Sequence, residues 1–351
     1  MAHIRADFQR LGIAIAPDGP PDIAEHVFNP ACARLRDGSL QLYPRMVAPG
    51  NVSRIGSFHA REEHDGKLAL DRRGYALEPE APYELRDQPG GYGCEDPRVT
   101  YVAALGLYLM AYVAFGPRGP EVAAAVSDDG LHWRRLGLMR FGSSETPFAD
   151  KDGAFFPEPV RSPAGLTSIA LYHRPYVWQT ASHAAGPSEP EHPRAPERRE
   201  RISIGYVPLG PVRADVKRLC EVAETHPLDL PAAAWGRFRV GAGTPPVRVR
   251  EGWLSVIHGV DRIEQSGDTA YLRYCAGIIV HDADRLDHIL YRSAAPLFVP
   301  TTYEEVHGAV GHVVFPTAID PRPNAGGRSF DIYYGAGDDA IGRGRVTLRD
   351  Q

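Results

Sequence analysis

The acidic corner Glu95-Asp96-Pro97-Arg98 is the segment whose residue types and spacing most clearly suggest chemistry. It follows the glycine-rich stretch 90–94, and its proline restricts the backbone beside the second carboxylate. A carboxylate held at a rigid corner, between another acid and a guanidinium, is a candidate acid catalyst for a polar, sugar-sized substrate. The sequence therefore predicts that Asp96 is a catalytic residue.

Four other positions show a sequence pattern similar to that of this corner. In each, an apolar run rich in β-forming residues ends in a polar residue close to a Pro or Gly. These polar residues are Asn29, Arg174, His258 and Asp338. Taken with Asp96, the five residues follow one another at steps of 67, 78, 84 and 80 residues. This spacing predicts that each structural repeat delivers one polar residue to a shared site.

Short apolar runs rich in β-branched and aromatic residues supply the elements that would position these side chains. Glycines and prolines are spread between the runs and mark the turns. Helical periodicity is scarce, and only residues 230–238 are expected to form a short helix. The clearest strand-like runs are 107–115, 167–172, 202–207, 253–257, 271–280 and 330–334.

A repeat of roughly 70 to 80 residues built from short strands favours a β-propeller over a β-sandwich. The 351 residues accommodate five such repeats. The predicted fold is therefore all-β, a five-bladed β-propeller with four-stranded blades around a central channel. We expect residues 1–351 to form a single catalytic domain, with a loop insertion at about 181–201 where the strand rhythm is interrupted.

The composition excludes several classes of function. A formal net charge of -5 gives no general attraction to nucleic acid or to an anionic membrane surface. Residues 1–8 lack the apolar core of a secretory signal, and no run approaches the roughly 20 apolar residues of a membrane span, so the predicted compartment is the cytoplasm. The cysteines show no CxxC spacing and indicate small buried thiols instead of a zinc site or disulfides. They are Cys32, Cys94, Cys220 and Cys275.

A set of short motifs runs in a fixed order over nearly the whole chain. They are Asn29-Pro30-Ala31, Gly93-Cys94-Glu95-Asp96-Pro97-Arg98, Lys151-Asp152-Gly153-Ala154-Phe155-Phe156-Pro157-Glu158, His173-Arg174-Pro175, Gly252-Trp253-Leu254, His258-Gly259-Val260, Tyr303-Glu304, Val314-Phe315-Pro316 and Tyr333-Tyr334-Gly335-Ala336 with Asp338. Each motif is short, whereas the ordered set is specific. The set resembles the family-130 glycoside phosphorylases and hydrolases, a group that acts on β-mannosides.

The resemblance implies a five-bladed propeller and an inverting reaction in which Asp96 supplies the proton. In phosphorylases of this group, that proton reaches the glycosidic oxygen through a hydroxyl of the bound mannose. Asp96 must then be protonated when the substrate binds, which burial and Glu95 favour and Arg98 opposes. We therefore expect Arg98 to point away and brace the corner. The mechanism requires no metal or other cofactor, and inorganic phosphate is the co-substrate.

A phosphate dianion beside carboxylates needs several converging cations or amide donors. The candidates are Lys151, Arg174 and His258, which match family positions associated with phosphate, and Arg45, which follows a short apolar run. One phosphorylase subgroup carries Arg-Asn where this chain has Lys151-Asp152. Asp152 adds negative charge beside the expected anion, and in a hydrolase it would belong to a water-activating set.

Sugar recognition needs polar groups that match hydroxyls and aromatic faces that cover the ring. In a phosphorylase or a hydrolase, the carboxylates other than Asp96 are also candidates for contact with the substrate. The predicted substrate-binding residues are Asn29, Glu95, Asp152, Tyr274, Tyr303, Glu304, Phe315 and Asp338.

These residues favour an inverting phosphorylase that cleaves a β-mannoside, of mannobiose or mannosyl-glucose type, to give α-mannose 1-phosphate. An inverting β-mannosidase that uses water is the main alternative, and it needs a second carboxylate roughly 6.5 to 9.5 Å from the acid. A propeller that binds glycans without cleaving them is the third. The glycosidic linkage, the leaving sugar and the formation of a homo-oligomer depend on loops that the motifs leave open.

Overall fold

The structure is a computed structural model that describes residues 4–17, 24–63, 66–142, 149–176, 200–264, 270–323 and 325–349. The loop insertion predicted at about 181–201 lies outside these ranges except for its last two residues. Strands account for 59% of the chain and helices for 6%, so the predicted all-β class is confirmed. No helix in the described ranges is long and apolar enough to cross a membrane.

The strands follow one another closely along the chain. They are β1 (Arg5–Ile15), β2 (His26–Arg34), β3 (Leu40–Ala48), β4 (Val52–Glu62), β5 (Leu68–Leu77), β6 (Tyr92–Val102), β7 (Leu107–Gly116), β8 (Gly119–Ser127), β9 (Arg134–Leu138), β10 (Arg140–Phe141), β11 (Asp150–Phe155), β12 (Val160–Arg161), β13 (Thr167–Pro175), β14 (Ser203–Pro208), β15 (Glu221–Val222), β16 (Glu224–Pro227), β17 (Arg239–Gly241), β18 (Val247–Val249), β19 (Gly252–Glu264), β20 (Ala270–His281), β21 (Ile289–Arg292), β22 (Val314–Pro321), β23 (Ser329–Ala336) and β24 (Ala340–Arg349).

Helical segments are few and short. They are α1 (Leu209–Ala214), α2 (Tyr303–His307) and the 3-10 turns Val216–Cys220 and Ala234–Gly236. The short helix predicted at 230–238 is therefore wrong apart from the turn at Ala234–Gly236. Instead of forming a helix, the segment sends Trp235 and Phe238 into the core, where the Trp235 indole N–H donates to the Ser293 carbonyl at 3.0 Å.

The strands form four large sheets, with β10 and β15 making a separate parallel pair. Sheet I has the order β2-β3-β4-β6-β7-β8-β9 with β5 on β4, and sheet II has the order β11-β13-β14-β16 with β12 on β13. Sheet III has the order β17-β19-β20-β21 with β18 on β19. Sheet IV has the order β1-β24-β23-β22, so the first and last strands of the chain are hydrogen-bonded neighbours.

Sheet I consists of two antiparallel groups of four strands. The groups meet only where β4 runs parallel to β6, over two residue pairs, Val52 with Tyr92 and Ser53 with Gly93. Every other pairing within sheet I is antiparallel. Hydrogen bonding is thus continuous across sheet I, but the strand pairing is parallel and short at the β4–β6 junction and antiparallel elsewhere.

Each large sheet is covered by apolar neighbours, because alternate residues of its strands face opposite sides. In β23, Tyr333 packs with Leu42 of sheet I, whereas Tyr334 packs with Val256 of sheet III. The same alternation produces clusters between sheets I and II and between sheets II and III. Burial on both faces explains why the strands read as continuous apolar runs.

Polar contacts also join sheet IV to sheet I. The Arg34 guanidinium binds both carboxylate oxygens of Asp320, at 2.9 and 2.6 Å. The Thr317 hydroxyl donates to the Pro30 carbonyl at 2.6 Å, one residue beyond Asn29. The strand that carries Asn29 is therefore fixed from both sides.

Candidate active site

A cavity of about 460 Å³ collects most of the residues that the sequence predicted. All four large sheets contribute to its wall, and a larger cavity near Phe141 contains none of the predicted site residues. The predicted residues that line it are Asn29, Arg45, Asp96, Lys151, Asp152, Arg174, His258, Tyr274, Phe315 and Asp338. Residues separated by up to about 300 positions in sequence thus share one pocket.

Three of these residues occupy the same structural position in different strand groups. Asn29, Asp96 and Asp152 have left-handed backbone, with φ of 44°, 45° and 60°, and each lies at a bulge in β2, β6 or β11. A residue other than glycine rarely adopts this conformation, which costs about 1–3 kcal/mol. The bulge interrupts the pleat and redirects the side chain, here into the cavity.

Each strand group supplies one residue of the predicted series to the cavity, but the five residues do not occupy equivalent positions. Asn29 and Asp96 are equivalent, but Arg174 and His258 lie on the second strands, β13 and β19, and Asp338 lies in the β23–β24 turn. The sequence pattern of an apolar run followed by a polar residue and a Pro or Gly occurs within first strands and within second strands alike. It therefore could not separate first strands from second ones.

The backbone around Asp96 is braced by Arg98, as predicted. Arg98 Nη1 donates to the carbonyl oxygen of Asp96 at 2.6 Å, and Nε donates to the Gly243 carbonyl at 3.0 Å. The side-chain oxygen Oδ1 of Asp96 accepts instead from Asn29 Nδ2 at 3.0 Å and from Arg45 Nη1 at 3.2 Å. The carboxylate is thus held by an amide and a guanidinium on the cavity side.

The charges around Asp96 favour its ionised form when no ligand is bound. Burial acts to raise its pKa, but the positive charges of Arg45 and Lys151 outweigh burial and leave the pKa below its ordinary value. Burial raises the pKa of Asp338 to about 6, and the negative charge of Asp96 adds to the effect. Without ligand, Asp96 is therefore ionised, and Asp338 is the carboxyl group that retains a proton in mildly acidic solution.

Glu95 acts as an internal counter-ion instead of lining the cavity. Its two oxygens are bound by Arg45 Nη2 at 2.9 Å and by Lys151 Nζ at 3.3 Å, and the residue is buried. The expectation of direct contact between Glu95 and a sugar is therefore not supported by its position. Glu95 holds two cations against the cavity wall.

Arg174 is more heavily neutralised than the sequence suggested. Its Nε donates to Asp152 Oδ2 at 2.6 Å and its Nη1 donates to Glu200, which also binds Arg239 Nε at 2.8 Å. Burial acts to raise the pKa of Asp152, but the neighbouring positive charges, that of Arg174 first, together outweigh burial and lower that pKa to about 2. Asp152 is thus a permanently ionised partner of Arg174.

Sequence reasoning missed Glu200 and Arg239. Arg239 lines the cavity and donates to the Tyr274 hydroxyl at 3.0 Å. Glu200 joins β13 to β17 through its two arginines, and its only sequence signal is membership of the charged segment around 181–201. No local pattern pairs residues that belong to different sheets.

His258 lines the cavity as a neutral imidazole, although the sequence analysis expected a cation there. Burial lowers its pKa to about 3. Its Nδ1 lies 3.1 Å from the Ala242 carbonyl, which only accepts, so Nδ1 carries the hydrogen. Nε2 then presents a lone pair 3.9 Å from Asp152 Oδ2. His258 therefore cannot attract an anion by charge.

The aromatic candidates divide into two groups. Phe315 packs against His258, with ring centroids 4.4 Å apart, and it lines the cavity together with Tyr274. Tyr303 and Glu304 lie on α2 and do not line it, and Tyr303 is 74% exposed. The helix is oriented by Glu305.

Glu305 is buried and accepts from Arg10 and from the Tyr334 hydroxyl. It also caps the amino end of α2 in a capping box with Thr302. This anchoring turns Tyr303 outward, where it stacks on His307 at 4.8 Å.

The described residues contain no group of three or more His, Cys, Asp or Glu arranged to hold a metal ion. The expected absence of a metal or other cofactor stays a prediction.

Gly335 allows Asn29 to reach the cavity, which gives a direct test of the Asn29 contact. A Cβ at Gly335 would overlap Asn29 Oδ1, so Gly335→Ala is expected to displace the amide from Asp96. Loss of one hydrogen bond to a charged group predicts a fall in kcat/KM of about 10-fold. Gly210→Ala is the matched control, because a Cβ there meets nothing within 4 Å. Equal kinetics for the two variants would contradict the prediction.

Comparison with known proteins gives a consistent result. The glycoside hydrolase family 130 model, described as beta-1,4-mannooligosaccharide phosphorylase, matches residues 9–183 and 228–350. A 1,2-beta-oligomannan phosphorylase of Thermoanaerobacter is 23% identical over 305 residues, which cover 85% of this chain and 80% of that protein. The chain is also similar to two solved structures at 18% identity.

One is the beta-1,2-mannobiose phosphorylase from Listeria innocua in complex with beta-1,2-mannobiose, with a TM-score of 0.66 over 97% of this chain and 96% of that one. The other is a family-130 structure described with the finding that this family of mannoside phosphorylases contains glycoside hydrolases that target beta-1,2 mannosidic linkages in Candida mannan. It has a TM-score of 0.68 over 97% of this chain and 93% of that one.

Proposed function

The chain belongs to glycoside hydrolase family 130, and from this premise we propose that it is an inverting phosphorylase of β-mannosides. It cleaves a substrate of mannobiose or mannosyl-glucose type with inorganic phosphate and releases α-mannose 1-phosphate and the leaving sugar. The observation that carries the proposal is the meeting of Asp96 with Arg45 and Lys151 at one cavity. The names of the relatives support the same chemistry.

We propose further that the strands form a five-bladed β-propeller and that residues 1–351 constitute one catalytic domain. Division of sheet I at the β4–β6 junction gives two groups of four strands, and sheets II, III and IV supply three more groups. The apolar contacts of sheet I with II, II with III, III with IV and IV with I support this arrangement. Pairing of β1 with β24 would then complete the last blade with the amino-terminal strand.

In this reaction, Asp96 protonates the leaving oxygen through a hydroxyl of the bound mannose while phosphate attacks the anomeric carbon from the opposite face. The carbon–oxygen bond to the leaving sugar breaks as the bond to phosphate forms. Asp96 is ionised without ligand, but an entering phosphate dianion would compensate the charges of Arg45 and Lys151. This raises the pKa of Asp96 and favours the protonated form. Phosphate thus serves as the nucleophile and also helps to load the acid.

Lys151 is the cation least neutralised by carboxylates, so it is expected to contribute directly to phosphate binding. Its only hydrogen bond among the described residues is to Glu95, at 3.3 Å. Lys151→Gln is expected to raise the KM for phosphate about 10-fold, the effect of losing one charge-assisted hydrogen bond. The KM for the mannoside should change less. Lys67→Gln, at an exposed residue that does not line the cavity, is the control, and an unchanged phosphate KM in Lys151→Gln would contradict the assignment.

An inverting β-mannosidase remains the second candidate function because of Asp152. This carboxylate lines the cavity in ionised form and, with Glu200, neutralises Arg174. A site with less free positive charge is less suited to a dianion, and a carboxylate near the acid is what water activation needs. One structural neighbour comes from work on hydrolases of this family.

A single assay separates the two functions from glycan binding without cleavage. The enzyme is incubated with β-1,2-mannobiose, β-1,4-mannobiose and mannosyl-glucose, with and without phosphate. Phosphate-dependent release of mannose 1-phosphate supports the proposal. Release of free mannose that does not depend on phosphate identifies a hydrolase, and binding of these glycans without turnover supports a binding protein. The cytoplasmic location and a homo-oligomeric state stay predictions.

A further inference from the structure

Asp338 differs from the other carboxylates of the cavity in its hydrogen bonding. Asp96 accepts from Asn29 and Arg45, and Asp152 accepts from Arg174. In the described ranges, no hydrogen bond or ion pair reaches the side chain of Asp338. Asp338 is half-buried at the cavity wall, and an ionised carboxylate there without protein donors is less well stabilised than Asp96 or Asp152.

The backbone holds Asp338 at the cavity in a fixed conformation. Its φ of 51° is left-handed, which is uncommon for a residue with a side chain. Val310 N donates to the Gly337 carbonyl at 2.9 Å, and Asp339 N donates to the Ala336 carbonyl at 3.1 Å. The neighbouring Asp339 carboxylate lies 2.7 Å from His26 Nδ1. The turn that carries Asp338 is therefore tied to two other segments.

The charges that face Asp338 come from three strands. Asp96 and Glu95 on β6 raise its pKa, whereas Arg45 on β3 and Lys151 on β11 lower it. Burial is the largest influence, and the resulting pKa is about 6. Two carboxyl groups at one cavity whose pKa values are pushed apart are the usual arrangement of a proton holder and its ionised partner.

We propose that Asp338 holds the catalytic proton in the free enzyme and transfers it to Asp96 when phosphate and mannoside occupy the cavity. This inference rests on the proposed function. The O–H bond of Asp338 breaks as its proton passes to a water or substrate hydroxyl that bridges the two carboxyl groups, and that group gives its own proton to an oxygen of Asp96. Asp96 then gives the proton to the leaving oxygen, and solvent returns a proton to Asp338 after the products depart. Asp338 thus has a catalytic role in addition to its predicted contact with the sugar.

The test is a titration of the free full-length enzyme, followed by the infrared band of protonated carboxyl groups. In the wild type, one carboxyl group at the cavity should lose its proton with a midpoint near pH 6. This titration should disappear in Asp338→Asn and remain in Asp287→Asn, a control at an exposed ion pair with Arg285. Persistence of the midpoint in Asp338→Asn would overturn the proposal.

A second variant keeps the test decisive if Asp338→Asn fails to fold. Since the negative charge of Asp96 raises the pKa of Asp338, the midpoint should move to lower pH in Asp96→Asn. An unchanged midpoint in that variant would show that the titrating group is not the partner of Asp96. These titrations need no substrate, so they remain informative whichever reaction the product assay reveals.

The pH dependence of the rate distinguishes proton holding from sugar binding alone. Activity that needs the Asp338 proton falls as pH rises through about 6. In Asp338→Asn, the fall should begin at lower pH, because Asp96 must then acquire its own proton. If Asp338 only contacts the sugar, the variant raises the mannoside KM and leaves the position of the fall unchanged, which would also overturn the proposal.

Discussion

Replacement of Asp96 by Asn is expected to reduce kcat for β-mannoside cleavage by about 10²–10⁴-fold, the usual contribution of a positioned acid. An amide cannot donate a proton of suitable acidity to the leaving oxygen, whether phosphate or water attacks. The change is nearly isosteric, and Asn29 and Arg45 can still donate to the remaining amide oxygen. The measurement is the release of mannose 1-phosphate or mannose under saturating substrate.

The fold should survive this substitution, which makes the loss interpretable. Arg45 keeps its bond to Glu95, and the Arg98 brace contacts the backbone of residue 96 and not its side chain. We expect circular dichroism and the thermal transition to remain close to those of the wild type. Asp287→Asn is the control for an aspartate outside the site. Rates in Asp96→Asn within a few-fold of the wild type would remove Asp96 from the mechanism.

The local features of the site could be predicted because each depends on residues that are adjacent in the sequence. Asp96 and Asn29 each precede a proline, and the structure places both at strand bulges with left-handed backbone. The predicted brace by Arg98 also lies within this short motif, and its bond to the Asp96 carbonyl confirms it. Local chemistry and local backbone restriction are readable without knowledge of the fold.

Features that depend on contacts between sheets could not be predicted in this way. His258 is neutral because the fold buries it, and nothing in its neighbouring residues reports that burial. Glu200 and Arg239 meet only because sheets II and III are adjacent. Tyr303 points outward because Glu305 beside it is bound by Arg10 from the opposite end of the chain.

The electrostatic balance of the cavity likewise emerges only in the structure. From the sequence alone, Asp152 is expected to repel an anion bound beside it. In the structure, the charge of Asp152 is neutralised by Arg174. Asp338 is instead the carboxyl group whose pKa is raised, partly by the negative charge of Asp96. A count of charges along the sequence does not reveal which carboxyl group remains without a partner.

Replacement of Arg174 by Ala is expected to raise the KM for phosphate about 10²-fold, because it removes a guanidinium that could make two charge-assisted bonds to the anion. The variant also leaves Asp152 and Glu200 buried without this partner, and breaking a buried pair costs about 3–5 kcal/mol of stability. A lower thermal transition is therefore expected together with the kinetic effect. The single variant alone cannot separate phosphate binding from the loss of a counter-ion.

A double-mutant cycle with Asp152→Asn separates these effects of Arg174. Asn at position 152 removes the negative charge that neutralises Arg174, so the KM for phosphate should fall. The charge of Glu200 is still neutralised by Arg239. If Arg174 binds phosphate, Arg174→Ala raises that KM in the wild-type background and in the Asp152→Asn background. If Arg174 serves only as counter-ion to Asp152, the KM no longer responds to Arg174→Ala once the carboxylate is gone. That second result would remove Arg174 from the phosphate site and leave Lys151 and Arg45 as its cations.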